Sequence, residues 1–169
     1  HPDILNGTVT AHIPASTFEF NSAAIFLGND PNDEHTASVN WFVVDHDYIQ
    51  TMGMQIVEGR NFSRKFSTDT AKIIVNQAFA KKFDLAFNDT SSVGKTLSTF
   101  GKNAGEYFSF EVIGIVKDFH FQTARDQISP MVMILNQEIN IIGKSTYATS
   151  FRIRPGKEQE VISFVEEAW

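Results

Sequence analysis

Two short clusters in the sequence pair aspartate with histidine, a combination that binds metal ions and transfers protons in enzymes. Residues 118–120 read Asp-Phe-His and directly follow an apolar run, and residues 45–47 read Asp-His-Asp after a second apolar run. The ends of strands, where loops begin, are common positions for catalytic groups. One hypothesis is therefore an enzyme or metal site built from these side chains: Asp45, His46, Asp118 and His120.

The spacing of these groups favours a structural role. Neither cluster has the His-x-x-x-His or His-x-x-Glu-His spacing that puts metal ligands on one helix face. In a strand, Asp118 and His120 would share one face, and the rings of Phe119 and Phe121 would share the other. We therefore predict a turn aspartate and a half-buried histidine at this position, with no catalytic, metal or cofactor site in the chain.

The remaining motifs for nucleophilic or nucleotide chemistry are incomplete. No G-x-S-x-G elbow occurs, and the Gly-Lys-Thr of residues 94–96 lacks the earlier glycine of a phosphate-binding loop, since Asp89 stands there. The turn at residues 58–60 reads Glu-Gly-Arg. Gly59 permits a tight turn, and the Arg60 guanidinium can bond backbone carbonyls or an acid across it. We interpret this turn as a structural clamp, with ligand binding as the alternative.

Composition and charge narrow the class of protein. The chain has 169 residues, of which 42% are hydrophobic and 20% charged, as in an ordinary globular domain. Its net charge of −6 argues against nucleic-acid binding and against a polybasic membrane contact. It has no cysteine, which excludes disulfides and thiolate chemistry. The sequence contains neither an apolar run of about 18 residues nor a signal peptide, and its two ends are those expected of a piece of a longer protein.

Hydrophobic periodicity predicts a mixed α/β, or α+β, fold with seven or eight strands and three helices. Helices are predicted before Gly53, after the N-cap Asn76 and after Pro155. The segment 15–37 is predicted to be irregular. The predicted strands cover residues 8–14, 38–45, 72–75, 107–119, 130–135 and 146–154. A short strand and a turn are predicted within 55–63, and a turn leading into a strand is predicted within 91–100.

Four blocks of sequence occur in a recognisable order. They read VDHDYIQTMGMQIVEGRNFS at 44–63, IIVNQAFAKKF at 73–83, SVGKTL at 92–97 and FEVIGIVKDFHFQTARDQISPMVM at 110–133. Together they resemble the MacB-like periplasmic core domains of MacB/FtsX-type ABC transporter permeases. The last block departs from the family pattern at 123–125, where Thr-Ala-Arg replaces the usual Ser-Leu pair. The positions that match the family signature, all expected to be structural, are Asp45, Tyr48, Gly53, Gly59, Arg60, Asn76, Gly94, Gly114, Lys117, Asp118, Phe119, His120 and Pro130.

The resemblance implies a fold and a location. It implies two lobes: a porter-like βαβ lobe from residues 1–45 and 110–169, and a smaller inserted β-rich lobe from residues 46–109. It also implies that residues 117–121 form a junction where a core strand leaves the sheet, with no catalytic role. The domain would lie at the periplasmic face of the bacterial inner membrane, between two membrane helices of its permease.

The resemblance further implies a mechanical function without a cofactor. ATP-driven motion of the membrane helices would be transmitted to a substrate or periplasmic partner, in efflux or export. The implied partners are the permease's own transmembrane helices and the inner membrane, a cytoplasmic ATP-binding subunit or domain that hydrolyses ATP, and a periplasmic adaptor or lipoprotein. The parent is expected to be a dimer and the fragment a monomer.

The alternative is a soluble periplasmic binding module. It would hold a hydrophobic ligand or peptide with exposed aromatic side chains such as Phe18, Phe20 or Phe26.

Overall fold

The structure, a computed structural model, describes residues 1–10, 21–28, 30, 36–85, 91–101, 103, 105–120, 127–135 and 148–168. Three α-helices occur in these ranges: α1 (Tyr48–Met52), α2 (Gln77–Lys82) and α3 (Glu158–Ala168), and a 3-10 helix covers Ser67–Ala71. The strands in the same ranges are β1 (Ile4–Thr10), β2 (Asn21–Leu27), β3 (Ala37–Val44), β4 (Ile56–Gly59), β5 (Lys72–Asn76), β6 (Thr96–Phe100), β7 (Tyr107–Val116), β8 (Met131–Leu135) and β9 (Ala148–Ile153). This combination of a large sheet with short helices confirms the predicted α+β class.

The described strands form a seven-stranded sheet and a two-stranded sheet. The large sheet has the order β4-β7-β5-β8-β3-β2-β6, and β6 also pairs with β7. Strand β7 pairs with β6 through its first half and with β4 through its second half. Because β7 closes the order on itself, the sheet forms a ring, called here the ring. Strands β1 and β9 pair antiparallel in the small sheet, which with α3 is called the terminal layer.

Side chains alternate between two apolar cores along the ring strands, as the period of two in a strand requires. One cluster of buried side chains, called here the inner core, includes Trp41 and Val43 of β3. The second cluster, called here the outer core, includes Phe42 and Val44 of the same strand. Helix α2 contributes to the inner core, and helix α1 contributes to the outer core. These helices are short, so their stability comes from this packing more than from intrinsic helix propensity.

A β-bulge in β7 changes this alternation. Ile73 of β5 pairs with Val112, but the next residue, Ile74, pairs with Gly114, which leaves Ile113 as an extra residue. Val112 can therefore face the inner core together with Ile115, three positions on, while Ile113 faces the outer core.

Strands β4 and β7 approach each other at a pair of glycines. A Cβ atom on Gly59 would lie 2.1 Å from the carbonyl oxygen of Ile113, and one on Gly114 would lie 2.4 Å from that of Arg60. Gly59 also has a φ of +71°, which L side chains rarely adopt. Both positions therefore require glycine, for steric reasons that the sequence pattern alone did not give.

Several predicted boundaries differ from the structure. Strand β2 lies inside the segment 15–37 that was predicted to be irregular, because its short apolar run shows no clear alternation. Strand β7 ends at Val116 instead of residue 119, because the N–H of Asp118 donates to the side chain of Gln77, at 3.2 Å, instead of to a neighbouring strand. Strand β1 begins at Ile4 rather than residue 8, and the rest of the predicted strand, 11–14, lies outside the described residues.

The division into lobes stays a prediction. Strands β2, β3, β7 and β8 come from the segments assigned to the porter-like lobe, and β4, β5 and β6 come from the segment assigned to the inserted lobe. In the ring these two sets lie side by side in one sheet. Of the aromatic residues proposed to grip a ligand, Phe26 is fully buried, and Phe18 and Phe20 lie outside the described residues.

Replacing Gly59 with alanine should destabilise the domain far more than replacing Gly94. Both residues have positive φ, but a Cβ on Gly94 would meet nothing within 4 Å. Gly94→Ala should therefore show only the cost of a left-handed backbone, about 1–2 kcal/mol. Gly59→Ala adds a backbone clash and should cost about 3–5 kcal/mol. Urea unfolding followed by circular dichroism would measure the free energy of unfolding of both variants. Equal losses would show that the close approach of β4 and β7 does not add to the cost of Gly59→Ala.

Candidate functional site

Asp118 caps helix α2 across the sheet. Its Oδ1 accepts a hydrogen bond from the backbone N–H of Ala78 at 2.9 Å, and its own N–H donates to Oε1 of Gln77 at 3.2 Å. This reciprocal pair satisfies two backbone donors at the end of β7 and the start of the helix. Phe119 packs against the outer core, and His120 is exposed instead of half-buried as predicted. The sequence Lys-Asp-Phe-His thus marks a junction between a strand and a helix.

Asn76 organises the same junction from inside. It is fully buried, and its Oδ1 accepts from the N–H groups of Phe79 and Met131, each at 3.0 Å. Its Nδ2 donates to the carbonyl of Ser129 at 3.0 Å. The predicted N-cap is therefore correct, and the same side chain also fixes the entry into β8. Pro130, the next signature residue, accepts from the N–H of Asn40 at 3.4 Å through its carbonyl.

Arg60 forms the predicted clamp with a buried acid. Its Nη1 and Nη2 each donate to a carboxylate oxygen of Asp69 at 2.7 Å, and Nη1 also donates to the carbonyl of Asn61 at 3.0 Å. The Asp69 side chain is 0% exposed. The bonds from Arg60 and from the N–H of Ser63 hold the pKa of Asp69 below its usual value, against the opposing effect of burial. The guanidinium also lies 4.7 Å from the centre of the Phe66 ring.

Asp45 ties the terminal layer to the start of α1. Its Oδ1 accepts from the hydroxyl of Thr8 at 2.5 Å, and its Oδ2 accepts from the backbone N–H of Val9 at 2.8 Å. Oδ1 also accepts from the N–H of Asp47 at 3.0 Å, so one carboxylate joins β1 to the loop after β3. Asp47 occupies the N-cap position but does not cap with its side chain, which instead pairs with Arg64 at 2.6 Å.

Arg152 ties the terminal layer to the end of α1. Its Nε donates to the carbonyl of Thr51 at 2.8 Å, and its guanidinium lies over Gly53. A Cβ on Gly53 would lie 2.3 Å from Nη2 of Arg152, and Gly53 ends the helix with a φ of +67°. Gly53 is thus the C-cap of α1 and also the residue against which the side chain of Arg152 packs. The contacts of Asp45 and Arg152 are called here the joint.

Helix α1 carries the joint into the outer core. Tyr48 and Ile49 are buried at 0% and 4% exposure, and burial raises the pKa of the Tyr48 phenol. Their neighbours in the outer core are ring residues such as Val44 and Ile74. Helix α1 therefore contacts both the terminal layer and the outer core of the ring.

The remaining signature residues also lie at junctions. Gly94 donates from its N–H to the carbonyl of Val112 at 2.8 Å, which seats the turn before β6 against β7. Lys117 makes its backbone bond to Gln55 while its side chain is exposed. The described residues include no group of three or more His, Asp or Glu side chains placed to hold a metal ion. The assignment of the signature positions to structural roles stays a prediction.

The sequence matches the family described as MacB-like periplasmic core domain over residues 4–163. The chain belongs to this family. Its fold is similar to that of the periplasmic region of MacB from Actinobacillus actinomycetemcomitans, with a TM-score of 0.62 at 16% identity, over 99% of this chain and 69% of that one. It is also similar to the extracellular domain of the ABC-type transporter YknZ from Gram-positive bacteria, with a TM-score of 0.60 at 15% identity, over 94% of this chain and 70% of that one. A search of curated proteins gave no match.

Family membership places this MacB-like domain on the periplasmic side of an inner-membrane ABC transporter permease. Domains of this family are generally non-catalytic, and the family implies a transporter with membrane helices and an ATPase partner. In the part of the chain that the structure describes, no helix has the length and apolar character needed to cross a membrane.

The sequence analysis missed the partners of several residues that it named. Asp69 lies 9 positions from Arg60, and Arg152 lies 101 positions from Thr51; no spacing rule links either pair. Gln77 directly follows the predicted N-cap and could have been named, since a glutamine in the first turn often bonds back to a neighbouring N–H.

Neutralising Asp69 should remove a pH-dependent part of the stability. Because its folded pKa is lowered, the contribution is complete above the unfolded value of about 3.9 and is lost as the pH falls through the folded value. Asp69→Asn should therefore cost about 2–3 kcal/mol at pH 7 and flatten the acid limb of the stability profile. The matched control Asp47→Asn removes an exposed pair and should cost at most about 1 kcal/mol. Urea unfolding between pH 2.5 and 7 would measure both; parallel profiles would contradict the clamp.

The two groups of the Asp-Phe-His cluster should respond very differently to substitution. Asp118→Ala removes a cap from α2 and should cost about 1 kcal/mol. His120→Ala changes an exposed side chain and should stay within about 0.5 kcal/mol of the parent. Thermal unfolding measures both. Comparable losses at the two positions would mean that His120 has a structural role of its own.

Proposed function

We propose that the domain transmits ATP-driven motion of the permease's membrane helices to a substrate or partner in the periplasm, in efflux or export. The joint supports this proposal most directly. It connects the terminal layer to the ring by a few oriented hydrogen bonds, through Asp45 and Arg152, at both ends of α1.

The terminal layer brings the two ends of the domain together. Strand β1 pairs with β9 along almost its whole length, and the N–H of Arg154 donates to the carbonyl of Asp3 at 3.0 Å. The centre of the His1 imidazole lies 5.0 Å from the centre of the Phe164 phenyl group in α3. Segments leading to membrane helices on either side would thus enter the domain side by side, and their relative displacement would act on one small sheet.

The ring is suited to move as a rigid body. Strands β5 and β8 and the second half of β3 are buried on both faces and the sheet closes on itself, whereas the terminal layer contacts the ring through α1 and β3. Motions of packed domains commonly occur as rotations about such limited contacts. The proposal further places ATP hydrolysis on a separate cytoplasmic subunit or domain, with a periplasmic adaptor or lipoprotein as the partner and a dimeric parent.

A fluorophore on the 3-10 helix, which contacts β5, β7 and β8 of the ring, should report nucleotide turnover only when the joint is intact. The chain has no cysteine, so Thr68→Cys at an exposed position gives a single label in this domain. In the full permease, reconstituted with its ATP-binding partner and cleared of other cysteines, ATP should change the emission of the label. Adding Asp45→Ala and Arg152→Ala should abolish this change while ATP hydrolysis continues.

The control is Arg64→Ala, which breaks the exposed pair with Asp47 and leaves the joint in place. It should keep the nucleotide response. A label that never responds to ATP in the otherwise native permease would refute transmission, and a response that survives the double substitution would refute the joint as its route.

A further inference from the structure

The end of helix α1 that contacts Arg152 carries two methionines. Met52 is the last residue of the helix, and Met54 follows the helix-ending Gly53. The N–H of Gly53 donates to the carbonyl of Gln50 at 3.1 Å. The N–H of Met54 donates to the carbonyl of Ile49 at 2.9 Å. These two bonds form a Schellman motif, in which the residue after the glycine commonly contacts an apolar residue of the last helical turn.

Both methionines are partly buried and partly accessible. Their side chains pack against the outer core, to which Tyr48 and Ile49 of the same helix belong. They also line an open cavity of about 380 Å³, together with Gly53 and residues 117–119. A water molecule occupies about 30 Å³ in the liquid, so water and small solutes can enter this cavity and reach the methionines.

The other two methionines of the chain lie in the same core but are covered. Met131 and Met133 of β8 belong to the outer core and are both 0% exposed. The chain has four methionines and no cysteine, so these thioethers are its only sulfur groups. Susceptibility of a sulfur group to oxidation follows its exposure. The fold therefore leaves two oxidisable side chains accessible, and both flank the residue on which Arg152 packs.

Oxidation of a methionine adds one oxygen atom to its sulfur. A lone pair of the thioether attacks one oxygen of hydrogen peroxide, the O–O bond breaks, and an S–O bond forms. The other oxygen leaves as water with both protons of the peroxide. The sulfur loses two electrons, which the peroxide gains. The product is a sulfoxide, which is polar and disrupts apolar packing.

A sulfoxide at either position weakens the end of α1. Its oxygen requires hydrogen bonds that the apolar outer core does not supply, so the side chain has to turn toward the cavity. The last turn of the helix then loses apolar contact. The carbonyl of Thr51 in this turn accepts from Nε of Arg152, and Gly53 packs against the same side chain. Oxidation therefore acts on the part of α1 that holds Arg152.

We propose that Met52 and Met54 form an oxidation-sensitive site, at which a peroxide converts the thioethers to sulfoxides and loosens the joint. The periplasm is an oxidising compartment, so such a site matches the location of the domain. The oxidation and its effect on the joint are properties of this chain alone. Only the consequence for transport rests on the proposed function: oxidation would uncouple the ring from the terminal layer, and a methionine sulfoxide reductase would restore the coupling.

Treatment of the 169-residue chain with hydrogen peroxide, followed by peptide mass spectrometry, measures the chemical step. Met52 and Met54 should gain oxygen about tenfold faster than Met131 and Met133, which react only when the sheet opens locally.

Hydrogen exchange followed by NMR measures the effect on the joint. After oxidation of the two accessible methionines, the N–H of Met54 and the Nε–H of Arg152 should exchange about tenfold faster, because their bonds to Ile49 and Thr51 open more often. The N–H of Ile74 in the ring should exchange at its original rate, which separates loosening of the joint from unfolding of the domain.

Met52→Leu with Met54→Leu keeps the apolar volume and removes both accessible thioethers. Exchange at Arg152 in this variant should not respond to peroxide. The matched control, Met131→Leu with Met133→Leu, should respond as the parent does. The proposal is overturned if all four methionines oxidise at the same rate, if oxidation leaves the Arg152 signal unchanged, or if the first variant responds to peroxide like the parent.

The labelled permease separates this site from force transmission. Peroxide applied after labelling should suppress the ATP-dependent change of emission in the parent and leave it in the Met52→Leu, Met54→Leu variant. A change of emission that persists in the fully oxidised parent would overturn the uncoupling. A change that is absent even before peroxide would refute transmission alone, since the exchange rates decide the oxidation site without it.

Discussion

Strand β7 pairs with three other strands, and the ring depends on this pairing. In a regular strand, side chains alternate strictly between the two faces, so Val112 and Ile115 could not both belong to the inner core. The bulge at Ile113 shifts the alternation of the side chains by one residue. The glycines at 59 and 114 let β4 approach β7 closely enough to pair with it. Helix α2 packs against the inner core of this sheet, and helix α1 packs against its outer core.

The two parts of the domain are held by different kinds of interaction. The ring is stabilised by burial of large apolar side chains, each worth about 1.5–3 kcal/mol. The joint consists of hydrogen bonds, each contributing about 1 kcal/mol net. The terminal layer is a two-stranded sheet, which is marginally stable without packing against other elements. Motion within the domain should therefore concentrate at the joint, where few contacts must change and where those contacts have fixed directions.

Sequence reasoning succeeded where the physical cause was local. Asn76 was recognised as a cap because its acceptor group and the N–H it satisfies are three residues apart, and Gly53 as a helix end because glycine tolerates the left-handed conformation there. It failed where the cause was distant. The partners of Asp118 lie 40 and 41 positions away, and those of Asp45 lie up to 37 positions away, so the residues were identified without their roles. The resemblance to a family pointed to these positions, and their contacts join segments that are distant in the sequence.

Closure of the ring also limits association between copies of the domain through strand pairing. Free strand edges are templates for pairing between molecules. Within the described part of the large sheet, β4 alone has an unpaired edge, and it is short and interrupted by a bulge at Val57. The large sheet therefore offers little free edge through which copies of the domain could aggregate.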